Sequence, residues 1–242
     1  MIEFESKSHV YTYTPTGERF ISVTTLIDKY SEKQDWDSIA ERKAKKLGVT
    51  KEDLLKSWED EKNRAANQGT RIHELREKKI LGRPNVHTHR EENGLKYSLD
   101  ITELRPGIYP ELILYHPEYK IVGTADYVEI FKNGTFDLMD FKTNKSLEFT
   151  GYPVFNKSTF KREPRKLLHP LNKIDDCNGM KYTLQLSIYS FLLEELGYTL
   201  NKMWIEHIIM EDGDEINTVD YPLNYLKKEV KNMFQHFKSK QK

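Results

Sequence analysis

A series of strand-like segments in the middle of the chain constrains the fold more than any other feature of the sequence. Four runs rich in β-branched and aromatic residues are bounded by turn-forming residues, at about 96–104, 109–116, 120–131 and 135–143. The last two are separated by a short segment with Asn133-Gly134 at its centre, which is typical of an antiparallel hairpin. The sequence therefore predicts a β-sheet at the centre of the molecule.

Helical patterns on both sides of these strands predict the α/β class. Residues 36–80 are charged, free of proline and punctuated by apolar residues at helical spacing, which predicts an arm of two or three helices. Residues 181–196 predict an amphipathic helix, with Gly197 at the C-terminal position that glycine favours. We therefore expect a mixed central sheet that is flanked by helices.

The remaining segments predict shorter elements. Residues 9–27 alternate aromatic and β-branched residues around Pro15-Thr16-Gly17, which predicts an N-terminal β-hairpin. The other expectations are a loop or short ribbon at 82–94, a long ordered loop at 144–180, a strand at 203–210, a turn at 211–214 and a terminal helix at about 223–237.

Composition excludes several classes of protein. The chain has 242 residues, 37% of them hydrophobic, which is enough to bury a core without covalent staples. Cys177 is the only cysteine, so an internal disulfide, a cysteine-based zinc site and an iron–sulfur cluster are excluded, and a reducing cytoplasm is expected. No signal peptide is recognisable and no apolar run approaches about 18 residues, so neither secretion nor membrane association is expected.

Charge is balanced over the whole chain but uneven along it. The 38 basic and 38 acidic residues cancel, which argues against a polycation that coats nucleic acid. Six basic residues nevertheless stand between 157 and 173 against the single acid Glu163, with Tyr152, Phe155 and Phe160 interspersed. This favours phosphate contacts and base stacking, although a solvated loop is the common alternative. The substrate-binding candidates are Lys161, Arg162, Arg165 and Lys166.

Two predicted neighbouring strands each carry an acid that suits metal chemistry. Asp126 ends Gly123-Thr124-Ala125-Asp126, and the next strand carries Asp140-Phe141-Lys142-Thr143. The two-residue repeat of a strand puts Asp140 and Lys142 on one face. Two converging carboxylates repel each other unless a cation neutralises them, and carboxylate oxygens suit Mg²⁺ or Mn²⁺. A lysine there could orient water and stabilise charge on a phosphate, whereas isolated D-x-K patterns also occur on ordinary solvent-facing hairpins.

The register of this hairpin decides whether the two acids meet. With a two-residue turn at Asn133-Gly134, Asp126 faces Phe141, and the acids lie on opposite sides of the sheet. With a three-residue loop at 132–134, Asp126 lies opposite Asp140, with Cβ atoms about 5 Å apart. We therefore predict the longer loop, with Gly134 in the left-handed conformation, unless a bulge elsewhere corrects the register.

These motifs occur in an order that resembles the PD-(D/E)XK nuclease superfamily. The nearest branch is that of RecB-like exonucleases, which includes phage members and mitochondrial genome maintenance exonucleases, and the match spans about residues 69–190. Ala125 stands where the superfamily is named for a proline. The matching segments are Gly69-Thr70-Arg71-Ile72-His73, Glu111, Gly123-Thr124-Ala125-Asp126, Asp140-Phe141-Lys142-Thr143 and Gln185-Leu186-Ser187-Ile188-Tyr189.

The resemblance implies a restriction-endonuclease-like core and a role for each matching residue. It implies one or two Mg²⁺ or Mn²⁺ ions, held by Asp126, Asp140, the backbone carbonyl of Phe141 and His73. Lys142 would be the catalytic lysine, and Asp126 and Asp140 would act with it.

Further implied residues border this site. Glu111 would be a buried acid near the metal or Lys142, although as an isolated glutamate it would be a surface charge. Gln185 and Tyr189 would touch substrate from one helix face, although a helix can carry both for packing alone.

The organisation that the resemblance implies is a single nuclease domain over 1–242. Its parts are the hairpin and helical arm in 1–68, the core in 69–210 with the basic loop 144–180, and the C-terminal turn and helix in 211–242. The expected activity is hydrolysis of DNA from ends, with single-stranded or end-containing duplex DNA as partner. The sequence carries no G-x-x-x-x-G-K-[ST] motif, so no nucleotide cofactor is expected.

The sequence leaves two alternatives open. One is a catalytically inactive nucleic-acid-binding module, and the other is a structure-specific or sequence-specific endonuclease on the same fold. The residues do not determine cleavage polarity, strand preference or oligomeric state.

Overall fold

The computed structural model describes residues 1–6, 8–211 and 213–240. Its strands are β1 (Ile2–Glu5), β2 (Val10–Tyr13), β3 (Glu18–Arg19), β4 (Ile21–Ser22), β5 (Arg90–Glu92), β6 (Leu95–Tyr97), β7 (Gly107–His116), β8 (Ile121–Ile130), β9 (Thr135–Lys142), β10 (Pro153–Asn156), β11 (Lys161–Pro164), β12 (Thr199–Glu211) and β13 (Asp214–Pro222). Its helices are α1 (Val23–Asp28), α2 (Trp36–Leu47), α3 (Lys51–Leu81), a 3-10 turn (Ile101–Glu103), α4 (Asn178–Glu195) and α5 (Lys227–Ser239). The protein is therefore of the mixed α/β class, as expected.

The central sheet has the strand order β13-β12-β9-β8-β4, with β7 also paired to β8. Strands β7, β8 and β9 are antiparallel neighbours, whereas β12 runs parallel to β9. The parallel connection from β9 to β12 runs through α4, because parallel strands need a long crossover. Apolar residues on both faces of β8 and β9 explain why these strands lie in the middle of the molecule.

The predicted hairpin loop between β8 and β9 is confirmed. Tyr127 pairs with Met139 and Ile130 with Phe136, which leaves 132–134 as the loop between the flanking pair Phe131 and Thr135. Gly134 has φ +79°, a left-handed conformation that glycine adopts without steric cost. The register that places Asp126 opposite Asp140 is therefore the one that forms.

Helix α4 is buried on nearly every side, and the prediction of an amphipathic helix was wrong. All residues from 183 to 193 are buried, including the polar residues Ser187 and Ser190. The reason is that α4 packs on the central sheet with one side, whereas α1 and α5 cover it on the other. A helix enclosed in this way shows no polar stripe.

The N-terminal segment forms a second sheet rather than one long hairpin. Strands β2 and β3 form the predicted hairpin, but residues 23–28 are helical because Ser22 caps α1 by accepting a hydrogen bond from the Thr25 N–H. The second sheet has the order β3-β2-β1-β6-β5. It packs on the central sheet through Ile2 and Tyr11, among others.

The helical arm consists of two helices, as predicted. Gly48 ends α2 in a left-handed conformation, and the Thr50 hydroxyl caps α3 through the Asp53 N–H. Few arm residues are buried before Ile72, so the first half of α3 projects from the sheets.

Three further expectations differ from the structure. The run at 96–104 is a strand only to Tyr97, after which Asp100 caps the 3-10 turn. The ordered loop at 144–180 contains the β10–β11 hairpin. Strand β13 was missed because it is an edge strand whose side chains are largely exposed, so no buried face marks it. Of the predicted turn at 211–214, residue 212 lies outside the described residues.

Among the described residues, no helix combines the length and the apolar character that crossing a membrane requires.

Candidate metal centre

The centre lies where the ladder between β8 and β9 ends. The last pair is Tyr127 with Met139, and the next positions in the same register are Asp126 and Asp140. Instead of continuing the ladder, the backbone N–H of Phe141 donates to Oδ2 of Asp126 at 2.8 Å. The side chain of Asp126 thus occupies the space between the two strands.

A third acid lies opposite Asp126 on the other neighbouring strand. The pairs Pro110–Tyr127 and Leu112–Ala125 bracket Glu111 and Asp126, so these two acids share a register position. Glu111 has φ +50°, a left-handed conformation that is costly for a residue with a side chain. Glu111, Asp126 and Asp140 therefore form a row across β7, β8 and β9, as the resemblance led us to expect for Glu111.

Helix α3 brings His73 to this row. Its Nδ1 lies 3.5 Å from Oδ2 of Asp126, and its Nε2 lies 3.2 Å from the carbonyl oxygen of Phe141. His73, Glu111 and Asp126 each offer one potential ligand atom, and these three atoms lie within 4.8 Å of one another. Imidazole, carboxylate and carbonyl groups thus converge on one point from α3 and the three strands.

Lys142 lies beside the row, ion-paired with Asp140. The Asp140 side chain is buried, and its Oδ2 has no hydrogen-bond partner within the described residues apart from this ion pair. The ammonium group also lies 4.7 Å from the ring centroid of Tyr182, within the range of a cation–π interaction.

The pKa values indicate a surplus of negative charge. Burial, and then the charge of Asp140, raise the pKa of Asp126 well above its ordinary range. Burial, followed by Glu77, raises the pKa of Glu111 to about 7. Although burial works to lower it, the pKa of Lys142 is raised by Asp140 and then Asp126. The cluster favours additional positive charge, whether as protons or as a cation.

The same surroundings keep His73 neutral. Burial, and then the positive charge of Lys142, lower the pKa of His73 below its ordinary value. A neutral imidazole has a free lone pair, which is the form that binds metal ions.

Gln185 and Tyr189 lie beneath the centre rather than on the surface. The Gln185 amide donates to Oδ1 of Asp140 at 3.5 Å and to the Tyr189 hydroxyl at 3.3 Å. Both side chains are buried, which supports positioning of Asp140 in place of the expected direct contact with substrate. A Cβ at Gly123 would lie 2.6 Å from the Tyr189 hydroxyl, so a side chain at this position would displace Tyr189.

Two of the four basic candidates form ion pairs within the protein. Arg165 is 7% exposed, forms an ion pair with Asp176 at 3.0 Å and donates to the Tyr152 hydroxyl at 2.9 Å. Lys166 is ion-paired with Asp175. These contacts correct the expectation that Arg165 and Lys166 face substrate, because their charges are already neutralised within the protein.

The other two basic candidates are accessible. Lys161 and Arg162 lie on β11 with exposed side chains, so their charges face solvent.

Sequence reasoning missed Tyr182. Its ring contacts the Lys142 ammonium group, and its hydroxyl donates to Oδ1 of Asn144 at 2.8 Å. The signal that was available is spacing, because Tyr182, Gln185 and Tyr189 recur on one face of a helix.

A cleft leads away from the centre along α3. Its volume is about 490 Å³, and it begins at Thr143 and Asn144, which follow the lysine on β9. Arg64 and Gln68 of α3 line its other wall. Two cationic residues of the cleft, Arg64 and Lys145, are both ion-paired with Glu61, which also lines it.

No protein-family model matches the chain, and no curated protein matches it. Among solved structures, the crystal structure of SSO0001 is similar at 17% sequence identity with a TM-score of 0.38, covering 92% of this chain and 76% of that chain. A likeness at this level carries no argument about function. The functional assignment therefore rests on the geometry and charge of the site itself.

Proposed function

We propose that the protein is a metal-dependent deoxyribonuclease, an exonuclease that hydrolyses phosphodiester bonds from DNA ends. The observation that carries the proposal is the grouping of His73, Glu111 and Asp126, with ligand atoms within 4.8 Å of one another, next to the ion pair of Asp140 and Lys142. Buried carboxylates in excess of their cationic partners are costly, and a divalent cation removes that cost.

The residues present suit Mg²⁺ or Mn²⁺. Carboxylate and carbonyl oxygens with one imidazole are the donors that these ions accept, and the described ligand groups include no thiolate. His73, Glu111 and Asp126, whose ligand atoms lie within 4.8 Å of one another, would hold one or two ions together with the Phe141 carbonyl, and Asp140, which pairs with Lys142, would join them. When bound, such an ion polarises a phosphate and lowers the pKa of coordinated water.

The remaining chemistry belongs to the chain's own groups. Lys142 carries its positive charge beside Asp140, where it can orient a water molecule and stabilise charge that develops on a phosphate oxygen. Gln185 holds Asp140 from below, and Tyr182 covers the ammonium group from the side. These contacts preorganise Lys142, so little rearrangement is needed at the moment of reaction.

The fold supports a restriction-endonuclease-like core. A mixed sheet carries the acids on β7, β8 and β9, and α3 and α4 contribute His73 and Gln185 from the flanking helices. This arrangement also supports the RecB-like branch of the PD-(D/E)XK superfamily as the nearest relatives.

The direct test uses purified protein and end-labelled linear DNA, with Mn²⁺, with Mg²⁺ and with a chelator. We expect cleavage only with the metal ions, and loss of cleavage with retained DNA binding in Asp140→Asn and Lys142→Ala. Asp137→Asn is the matched control, because Asp137 is also a buried acid on β9 but pairs with Lys202 away from the centre. Full activity of Asp140→Asn would refute the proposal.

Topology of the substrate separates the alternatives. An exonuclease leaves closed circular DNA intact, whereas an endonuclease cuts it. A nucleic-acid-binding module without catalysis would bind linear DNA and release no nucleotides under any metal condition.

A further inference from the structure

We infer that the β10–β11 hairpin binds unpaired bases of a single nucleic-acid strand by stacking them on Phe155 and Phe160. The inference deepens the proposed function, on which it rests for its link to cleavage. It favours single strands among the expected DNA partners and adds a binding site outside the metal centre.

The first observation is an exposed pair of aromatic rings. Phe155 is 57% exposed and Phe160 is 80% exposed, the highest value among the exposed large hydrophobic side chains of the described residues. Their ring centroids are 6.5 Å apart, with an interplanar angle of 77°. Both rings are exposed to solvent at the turn end of the hairpin, where they contribute little to the core.

The second observation is the conformation of Phe160. Its φ of +56° is left-handed, which is uncommon for a bulky residue. Such conformations are sterically costly for a residue with a side chain and are often found at binding sites. The turn thus combines a costly backbone conformation with a ring that lies in solvent.

The third observation is the charge around the rings. Lys157, Lys161 and Arg162 are exposed, and none of them is ion-paired within the described parts of the chain. Glu163, the one acid in the segment 153–164, accepts hydrogen bonds from Asn156 at 2.7 Å and from Thr159 at 2.7 Å. The end of the hairpin is thus cationic as well as aromatic.

This combination suits one kind of partner. Aromatic faces stack on bases, and nearby cations neutralise the backbone phosphates, as in proteins that bind single strands without sequence preference. A duplex keeps its bases paired and stacked, so its bases are not available to these rings. The chemistry therefore favours an unpaired strand over a duplex.

The hairpin is rigid enough to act as a binding platform. Phe155 pairs directly with Arg162, and the Glu163 carboxylate ties the two strands and the turn together. At its base, Arg165 joins Tyr152 to Asp176. The rings are therefore held in place before a ligand arrives, which lowers the entropic cost of binding.

The hairpin is also fixed to the helix that borders the metal centre. The Asn178 side chain, at the start of α4, accepts a hydrogen bond from the Glu148 N–H and donates to the Ser146 carbonyl, each at 2.8 Å. It thereby holds the segment that runs from Lys142 to the hairpin. The hairpin is thereby anchored, through the chain, to the helix that carries Gln185.

The test measures binding and cleavage separately. Fluorescence anisotropy with a labelled single strand of about 16 nucleotides is recorded in a chelator, so that hydrolysis does not interfere. We expect Phe155→Ala with Phe160→Ala to weaken binding of single-stranded DNA about fivefold to 100-fold. Duplex DNA, measured in parallel, is expected to bind more weakly and to change little between the variants. A single-stranded RNA of the same sequence shows whether the sugar matters.

Control variants separate stacking from general effects. Ile216→Ala removes an equally exposed apolar side chain, 57%, from β13 and is expected to leave binding unchanged. Phe160→Trp keeps an aromatic face and is expected to retain binding, whereas Phe160→Leu loses it. Lys161→Ala is expected to reduce the salt dependence of binding by about 0.7 in the logarithmic slope.

The outcomes distinguish this inference from the proposed function. If wild-type protein cleaves DNA and the double phenylalanine variant binds and cleaves a single strand equally well, the inference is refuted and the nuclease stands. If the protein cleaves nothing but binding of a single strand falls in the double phenylalanine variant and not in Ile216→Ala, the inference stands and the nuclease is refuted. Binding lost equally in Phe160→Leu and Phe160→Trp would also overturn stacking.

Discussion

The two ends of strand β9 carry buried aspartates in contrasting surroundings. Near the loop, Asp137 accepts a hydrogen bond from the Asn201 amide at 2.7 Å and pairs with Lys202 at 3.3 Å. At the other end, Asp140 pairs with Lys142 beside Asp126 and Glu111, whose pKa values are raised first by burial and then by neighbouring acids. The first acid is balanced by its partners, whereas the second belongs to a cluster with surplus negative charge. The comparison shows that burial of an acid is not the functional signal; the signal is burial without enough positive charge.

The largest expected difference between the two ends is in cleavage rate. Lys142→Ala should slow DNA hydrolysis about 100-fold to 1,000-fold or more, because an ammonium group that stabilises developing charge is removed. Lys202→Ala, which removes the partner of Asp137, should stay within about twofold. Single-turnover cleavage with Mn²⁺ measures both. An equal loss of cleavage rate in the two variants would contradict a functional difference between the two ends of β9.

Metal binding should differ nearly as much. Asp126→Asn and His73→Ala each remove a ligand, so we expect Mn²⁺ affinity to fall by about 10-fold to 100-fold. Asp137→Asn should bind Mn²⁺ as the wild type does. Isothermal titration calorimetry gives the affinities, and the metal-induced increase in Tm provides an independent measurement. Unchanged affinity in both ligand variants would place the ion elsewhere.

Stability in the absence of metal should change in opposite directions. Burial and then Glu77 raise the pKa of Glu111 to about 7, so at about pH 8 the carboxyl group is mostly ionised and Glu111→Gln removes one charge from the crowded cluster. We expect the Tm in chelator to rise by about 2–4 °C, since about 1 kcal/mol of repulsion is relieved. Asp137→Asn breaks a balanced pair and should lower the Tm. Differential scanning calorimetry measures both Tm values. A lower Tm for Glu111→Gln would contradict the surplus of negative charge in the cluster.

The smallest effect concerns Tyr182 as a positioning residue. Tyr182→Leu removes the ring that covers Lys142 and should lower kcat about threefold to 10-fold with little change in KM, because the ammonium group becomes less well oriented. Tyr182→Phe keeps the ring, loses only the bond to Asn144, and should recover most of kcat. Failure of the phenylalanine variant to recover would assign the effect to the hydroxyl group instead.

Local patterns were sufficient for the features that depend on neighbours in the chain. Strand alternation limited the β8–β9 hairpin to two registers, and the requirement that Asp126 and Asp140 meet predicted the one with the three-residue loop and a left-handed Gly134. That prediction is confirmed, because turn chemistry is set over a few residues. The resemblance, rather than any local pattern, led us to expect His73 and Glu111 beside the two acids.

Features that depend on distant partners were not predictable in this way. Arg165 resembles any other residue of a basic segment until Asp176 and Tyr152 are placed around it. The polar edge strand β13 has no buried face, and α4 loses its polar stripe because α1 and α5 cover it. In each case the partner comes from another part of the chain, and its identity is not encoded in local periodicity.

The sequence by itself determined the α/β class and limited the hairpin to two registers, of which one aligns the two acids, because these follow from side-chain alternation and the conformational freedom of glycine. Only the tertiary structure decided which charges remain unbalanced. It paired Asp137 with Lys202 but left three carboxylates around Lys142, and it neutralised Arg165 while exposing Phe155 and Phe160. The physical reason is that electrostatic balance is a property of all the groups within a few ångströms, whichever part of the chain supplies them.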